Sequence, residues 1–366
     1  MKKSLLALAV VAVAASANAA TIYEKDGTKL YVDGRVQSVY YSVNHKANKV
    51  VAQNDSNIKN SARFGIGGKT QITDWVAGYG YAQWDTSDGS NNAQFTARDQ
   101  FVGADFGEFG KLQAGRYRDS GYYVENLTDH YEDAAGTLQG SYNGDRRGGQ
   151  LTYIYENYGF HAQAGVQTAQ DSGKVGGNAK QVDSGFNAAL GYKTGDIVFG
   201  PLDFRVGYSY VKGQDGNDVT AATGASFDNF KHANFGLAWG NLNSGLYMAA
   251  IYDYAKFNGL GKTAVASTDN TTKNDGFELS VGYAFDNGVS ALLGYEVSYW
   301  ELNNANGQTK YQIRRVPLFV NYKLNSNFNI WTEFGFNAGS DHADKIANYT
   351  RSQDKNFFSL GARYTF

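Results

Sequence analysis

From about residue 28 to the last residue the chain repeats one pattern: runs of roughly ten residues in which apolar and polar side chains alternate, parted by Gly, Asn, Asp and Ser. At the C-terminus Phe358, Leu360, Ala362, Tyr364 and Phe366 share one parity, and Ser359, Gly361, Arg363 and Thr365 fill the other. Phe204, Val206, Tyr208 and Tyr210 oppose Asp203, Arg205, Gly207 and Ser209; Phe277, Leu279, Val281, Tyr283 and Phe285 oppose Glu278, Ser280, Gly282 and Ala284. Successive side chains of an extended strand point to opposite faces, so each run is a strand with one apolar and one wet face. The pattern predicts sixteen strands, near 28–43, 61–72, 75–85, 95–107, 109–117, 146–156, 158–168, 181–194, 200–212, 231–241, 243–257, 274–285, 288–301, 309–323, 326–337 and 354–366.

Short turns such as Asp286-Asn287-Gly288 and 323–326 alternate with long polar segments at 44–60, 118–145, 213–230, 258–273 and 338–353. That asymmetry fits the two ends of a membrane barrel. A soluble sandwich or propeller is the alternative, but a sandwich needs no aromatic collar at its strand ends. Here Tyr40-Tyr41, Tyr81, Tyr153-Tyr155, Tyr208-Tyr210, Tyr252-Tyr254, Tyr295-Tyr299 and Tyr364-Phe366 are read as interfacial girdles, and no blade-length repeat is present. An open sheet in lipid leaves edge N–H and C=O groups unpaired at several kcal/mol each, so a membrane reading requires closure. The expected fold is all-β: a 16-stranded antiparallel transmembrane barrel, wide enough for an aqueous bore.

The first residues set the compartment. Lys2 and Lys3, the apolar run Leu5 to Ala15 and the small-x-small site Ala17-Asn18-Ala19 read as a secretory signal peptide over residues 1–19, with the barrel in 20–366. Eleven apolar residues at ~1.5 Å each cover only about half of a ~30 Å hydrocarbon core, which argues against a spanning helix. Loss of the two lysines takes the formal charge from −2 to −4, leaving no basic footprint for nucleic acid. The absence of Cys excludes a disulfide framework, a Cys-ligated metal and a thiol nucleophile.

Several stretches, ordered along the whole chain, carry a family resemblance: ATIYEKDGTK from Ala20, Ala62-Arg63-Phe64-Gly65, TQITDWVAGYGY from Thr70, Arg98 to Gly103, Gly115-Arg116-Tyr117, Gly148-Gly149 and the terminal Tyr-x-Phe. The chain resembles the enterobacterial general diffusion porins of the Gram-negative outer membrane. The resemblance implies a homotrimer of barrels, each with a third loop, here about 117–145, folded inward to face a ladder of basic residues. It places the basic constriction residues at Arg35, Arg63, Arg98 and Arg146, the loop carboxylates at Asp129 and Asp133, and a subunit contact at Arg116. The loop departs from the family's Pro-Glu-Phe-Gly run and reads Glu132-Asp133-Ala134-Ala135-Gly136, which leaves Glu132 and Asp133 as alternatives; Glu125 is a further loop acid.

Parity is a separate check. Arg63 opposes Ala62, Phe64 and Ile66; Arg35 opposes Leu30, Val32 and Val36; Arg98 opposes Phe95, Ala97 and Phe101; Arg146 opposes Leu151, Tyr153 and Tyr155. All four are expected inside, and Arg116, with the parity of Leu112 and Ala114, outside. Segment 118–145 adds Asp119 and Asp145 to its acids, with Arg118 its one fixed cation. Such a loop facing arginines sets up a transverse field and a bias toward cations.

The expected function is passive diffusion of small hydrophilic solutes and ions, weakly cation-selective, with no cofactor and with outer-membrane lipid and lipopolysaccharide as surroundings. A sugar-specific channel would use an aromatic slide, for which Tyr117, Tyr122, Tyr123 and Tyr131 are candidates. An enzyme is not expected: His45, His130 and His342 fall in loops, His161 and His232 in strands, and no Gly-x-Ser-x-Gly elbow accompanies them. Asp215-Gly216-Asn217-Asp218 resembles part of a calcium loop without its downstream Glu and is read as a turn.

Overall fold

The structure, a computed structural model, describes residues 19–42, 56–87, 95–133, 146–216, 225–263, 268–339 and 356–366. Residues 1–18 of the expected signal segment and the loop positions His45, Asp145 and His342 lie outside them. The described chain forms the strands β1 (Ala20–Lys25), β2 (Thr28–Tyr41), β3 (Asn57–Gln71), β4 (Ala77–Ser87), β5 (Thr96–Asp105), β6 (Lys111–Arg118), β7 (Arg146–Asn157), β8 (Phe160–Gln167), β9 (Gln170–Val175) and β10 (Asn178–Ile197). They continue as β11 (Gly200–Gly213), β12 (Asn229–Gly240), β13 (Gly245–Asn258), β14 (Thr271–Ala284), β15 (Val289–Asn304), β16 (Gly307–Lys323), β17 (Phe328–Asn337) and β18 (Phe357–Thr365). One short helix, α1 (Tyr122–Glu125), follows β6.

Each strand from β2 onward pairs antiparallel with its successor, except that β8 and β9 both pair with β10, and β18 returns to β2, which closes the barrel. The eighteen segments make sixteen strands. β1 pairs with Thr28 to Val32 of β2 and β18 with Arg35 to Tyr41 on the same edge, so these two lie end to end. β8 and β9 likewise share one edge of β10. All sixteen strands expected from alternation are present; β1 and the outward extension β9 are additional. The turns at one end are short, and Asp26 (φ 50) and Gly27 (φ 73) of the first take the left-handed conformation that a tight hairpin requires.

The barrel is apolar outside and polar inside. Phe204, Val206 and Tyr208, Leu279 and Val281, and Phe358 and Leu360 are exposed, whereas Asp33, Asn187, Ser209, Asp253, Glu278, Ser298 and Glu333 are almost fully buried. An aqueous solvent outside would make that arrangement aggregate; a hydrocarbon solvent makes it the stable one. Trp75, Phe109, Tyr158, Tyr283 and Phe285 are exposed beside the short turns, as an interfacial girdle requires.

Two parity readings need correction. Tyr81 is not in a girdle: it is buried, and its hydroxyl donates to Asp33 Oδ2 at 2.9 Å. Phe101 shares that inner face, opposite Tyr81 and packed edge-on against Tyr117, because the β4–β5 register slips between Ala82 and Trp84. The extra residue shifts the phase of β5, so Arg98 and Phe101 lie on the same side despite their odd spacing.

Candidate pore constriction

After β6 the chain turns into the bore and runs along the inner wall from β10 to β2. Ser120 Oγ donates to Asn187 Oδ1 at 2.5 Å, Asn234 Nδ2 to Gly121 O at 2.9 Å, Tyr247 Oη to Leu127 O at 2.8 Å, and Thr128 Oγ1 to Glu278 Oε2 at 2.7 Å. Farther round, the amides of Glu132 and Asp133 donate to Glu333 at 2.7 and 3.0 Å. The expected inward loop is therefore present, fastened strand by strand.

Its seat explains the sequence locally. Val124 and Leu127 form an apolar cluster with Ala238, Tyr247, Ala249 and Ile251 inside the barrel. Glycine is needed opposite: a Cβ on Gly236 would come within 2.7 Å of Leu127 Cδ1 and 3.0 Å of Val124 Cγ1, and one on Gly294 within 2.6 Å of Tyr131 Oη. The 44 glycines thus include inner-wall positions that make room for the loop.

The facing wall carries the arginines. Arg35 of β2 pairs across the strands with Arg63 of β3, which pairs with Asp85 of β4. Arg63 Nε donates to Asp85 Oδ1 at 2.7 Å, Arg98 bonds the other Asp85 oxygen and its Nε reaches Gln83 at 3.0 Å. Arg35 lies within electrostatic reach of Arg363, Arg63, Glu132 and Asp85. Arg146 Nε donates to Asp99 Oδ1 at 2.9 Å. The β6–β7 register shifts between Gly115 and Tyr117, with Gly149 left-handed (φ 67), so Arg147 rather than Arg146 stands opposite the inward Tyr117. Arg147 is buried, ion-paired to Asp119 at 3.0 Å and donating to Ser209 Oγ at 2.8 Å. The parity count that reaches Arg146 from Leu151 steps across that irregularity, so its place rests on the bond to Asp99 and its charge beside Arg98 and Arg118 instead.

The loop carboxylates are not equivalent. Glu132 meets Arg363 through both guanidinium N–H groups, Nη1 to Oε1 at 2.8 Å. Burial alone raises its carboxyl, but the Arg363 hydrogen bonds and the charges of Arg363, Arg35 and Arg63 outweigh this and hold it below the usual carboxylate range. Asp133 is tied to the wall: Tyr41 Oη donates to Oδ1 at 2.7 Å and Ser359 Oγ to Oδ2 at 2.6 Å. Asp129 accepts from Tyr122 Oη at 2.8 Å, keeps 31% side-chain exposure and has Arg118 at 3.7 Å. Glu125 is fully buried between loop and wall, so it does not line the bore as the sequence reading expected.

Arg116 is half-buried and its Nε donates to Arg98 O at 3.1 Å. The tyrosines considered for a sugar slide are engaged with the wall or with the loop itself. Tyr117 is buried, Tyr131 bonds Ser280, Tyr122 stacks on Arg118, and Tyr123 lies between His161, with ring centroids 3.8 Å apart, and Arg205. Asp215 accepts from Lys262 at 2.7 Å and has Lys212 at 2.8 Å. These hydrogen bonds hold its carboxyl down at about 2, with lysines as its partners. Sequence reasoning missed Arg363, although it sits on the polar parity of β18, and Asp85, whose parity is shared by the buried Tyr79 and Tyr81.

The family model for Gram-negative porins matches residues 5–248. This chain is a Gram-negative porin. It is similar to the outer membrane porin PhoE of Enterobacter cloacae, 30% identical over 350 residues that cover 89% of this chain and 93% of that protein. Among solved structures it resembles Salmonella typhi OmpF in complex with daunomycin, with a TM-score of 0.73, 23% identity and coverage of 95% of this chain and all of that one. It also resembles the trimer form of Vibrio cholerae OmpT, with a TM-score of 0.64, 18% identity and coverage of 93% and 100%. The porin is accordingly a multi-pass β-barrel of the outer membrane and a passive diffusion channel rather than an enzyme.

Proposed function

We propose that this porin passes small hydrophilic solutes and ions with weak cation preference, across a constriction held in a transverse field. The observation that carries this reading is a row of arginines along neighbouring strands met by carboxylates of the inward loop. Arg363, Arg35, Arg63 and Arg98 stand on neighbouring strands of one half. The inward loop brings Glu132 to Arg363 and carries the part-exposed Asp129 beside Arg118, while Asp253 and Glu278 of β13 and β14 stay buried behind the loop and Glu333 of β17 holds the loop amides next to β18. Opposite charges ~7 Å apart interact by about 0.6 kcal/mol in bulk water and ~2.4 kcal/mol at an effective dielectric of ~20, enough to orient dipolar solutes without trapping them. Arginine suits that ladder because its guanidinium stays charged beside its neighbours.

Asp85 between Arg63 and Arg98, and Glu132 on Arg363, neutralise part of the ladder. The net acidity of segment 20–366 then tips the bias toward cations. We place Arg35, Arg63, Arg98 and Arg146 on the basic side and Asp129 and Glu132 on the acidic side; Asp133 and Glu125 act as anchors. The working unit is a homotrimer in outer-membrane lipid and lipopolysaccharide, with Arg116 at the subunit contact. The OmpT likeness and the family resemblance support this. The test is reversal potential in a planar bilayer under a KCl gradient, with oligosaccharide added afterward. Large ohmic steps in threes, mildly cation-selective and indifferent to sugar, are expected; anion preference or saturable sugar block would overturn the reading.

A further inference from the structure

Behind the inward loop, away from the arginine ladder, three donor groups from three elements converge: Glu125 on α1, His232 on β12 and Asp253 on β13. His232 Nε2 is 2.9 Å from Asp253 Oδ2 and 3.5 Å from Glu125 Oε1, and the three donor atoms all lie within 4.8 Å of one another. Each side chain is at most 2% exposed. Donors held ~2.0–2.2 Å from a metal ion stand roughly 3–3.5 Å apart in a tetrahedral set, which is the spacing around Nε2.

The surroundings favour a cation. Asp119 and Glu278 add negative charge toward Glu125, and Arg147 is committed to Asp119 at 3.0 Å. Asp119 is buried, yet among the described residues neither of its carboxylate oxygens accepts a hydrogen bond. A Cβ on Gly121 would meet His232 Nδ1 at 2.9 Å and Asp119 Oδ1 at 3.4 Å, so Asp119 adds its charge on the His232 side of the loop. Asp253 faces Nε2 with both oxygens, at 2.9 and 3.0 Å, so a metal ion there takes the place of a proton shared between imidazole and carboxylate. Buried carboxylates in this number require compensation by protons or by a cation.

We propose that Glu125, His232 and Asp253 bind a first-row divalent transition-metal ion of the zinc class, which clamps the constriction loop to the barrel wall. One imidazole and two carboxylates suit such an ion better than calcium or magnesium, which take oxygen donors. The site is independent of the solute reading, because it lies on the wall side of the loop.

The experiment refolds the full chain from denaturant with Zn2+ present, so that the buried position is accessible, then removes free metal and measures zinc per chain by elemental mass spectrometry. About one zinc per chain is expected for the unaltered protein and for the control His161→Asn, with affinity lowered roughly tenfold or more in His232→Asn and in the near-isosteric Glu125→Gln. Cobalt in place of zinc should give visible absorption bands that Glu125→Gln alters. No zinc retained by the unaltered protein, or equal retention by Glu125→Gln and His232→Asn, would overturn the assignment.

Discussion

Arg363, three residues from the C-terminus, holds Glu132 of the inward loop with Nη1 to Oε1 at 2.8 Å, while its Nε donates to Gln37 of β2 at 3.0 Å. This one guanidinium joins the barrel seam to the tip of the constriction. Because the folded Glu132 carboxyl lies below its ordinary 4.5, its contribution is fully present above that value and is lost as pH falls through the lowered one. Single-channel traces should therefore show more frequent closures on acidification below about pH 4.5. Arg363→Gln should close frequently at neutral pH and respond less to acid. Identical pH responses of the two proteins would contradict the anchor.

Asp129 and Asp133 separate by role. Asp129→Asn removes a part-exposed charge and should lower cation preference, read as a shift of reversal potential toward zero with little change in stability. Asp133→Asn disturbs the acceptors of Tyr41 and Ser359, so it should lower the unfolding midpoint, a cost of about 1–3 kcal/mol. Denaturant titration beside bilayer recording distinguishes the two.

Gly236→Val tests the seat of the loop. The added side chain meets Leu127, Val124 and Ile251 at about van der Waals overlap, costing roughly 1–3 kcal/mol or displacing the loop. A heat-stable barrel with altered conductance is the expected result. Unchanged conductance and unchanged stability would mean that the loop does not rest there.

Arg147 and Arg146 should differ sharply despite adjacency. Arg147→Leu leaves Asp119 buried without its ion-pair partner and should cost about 3–5 kcal/mol in urea unfolding. Arg146→Gln, at 17% side-chain exposure beside Asp99, should cost about 1 kcal/mol or less and act mainly on ion selectivity. Equal losses in the two variants would refute the register argument.

Alternation specified the strands, their number and their two faces, since a one-residue period error would turn every apolar side chain from lipid into the bore. The aromatic strand ends with the alternating short and long connections added the closed membrane barrel. Alternation also put Arg35 and Arg63 on the inner face, where β2 and β3 are regular. Counting failed at Phe101 and loses its force at Arg146, since a bulge changes phase without a distinct mark in composition. The tertiary structure decided which loop acid meets the ladder, why Glu125 and Asp133 serve the wall, and that His232 meets Glu125. Those contacts join residues more than a hundred positions apart, and only closure of the barrel and seating of the loop bring them within bonding distance.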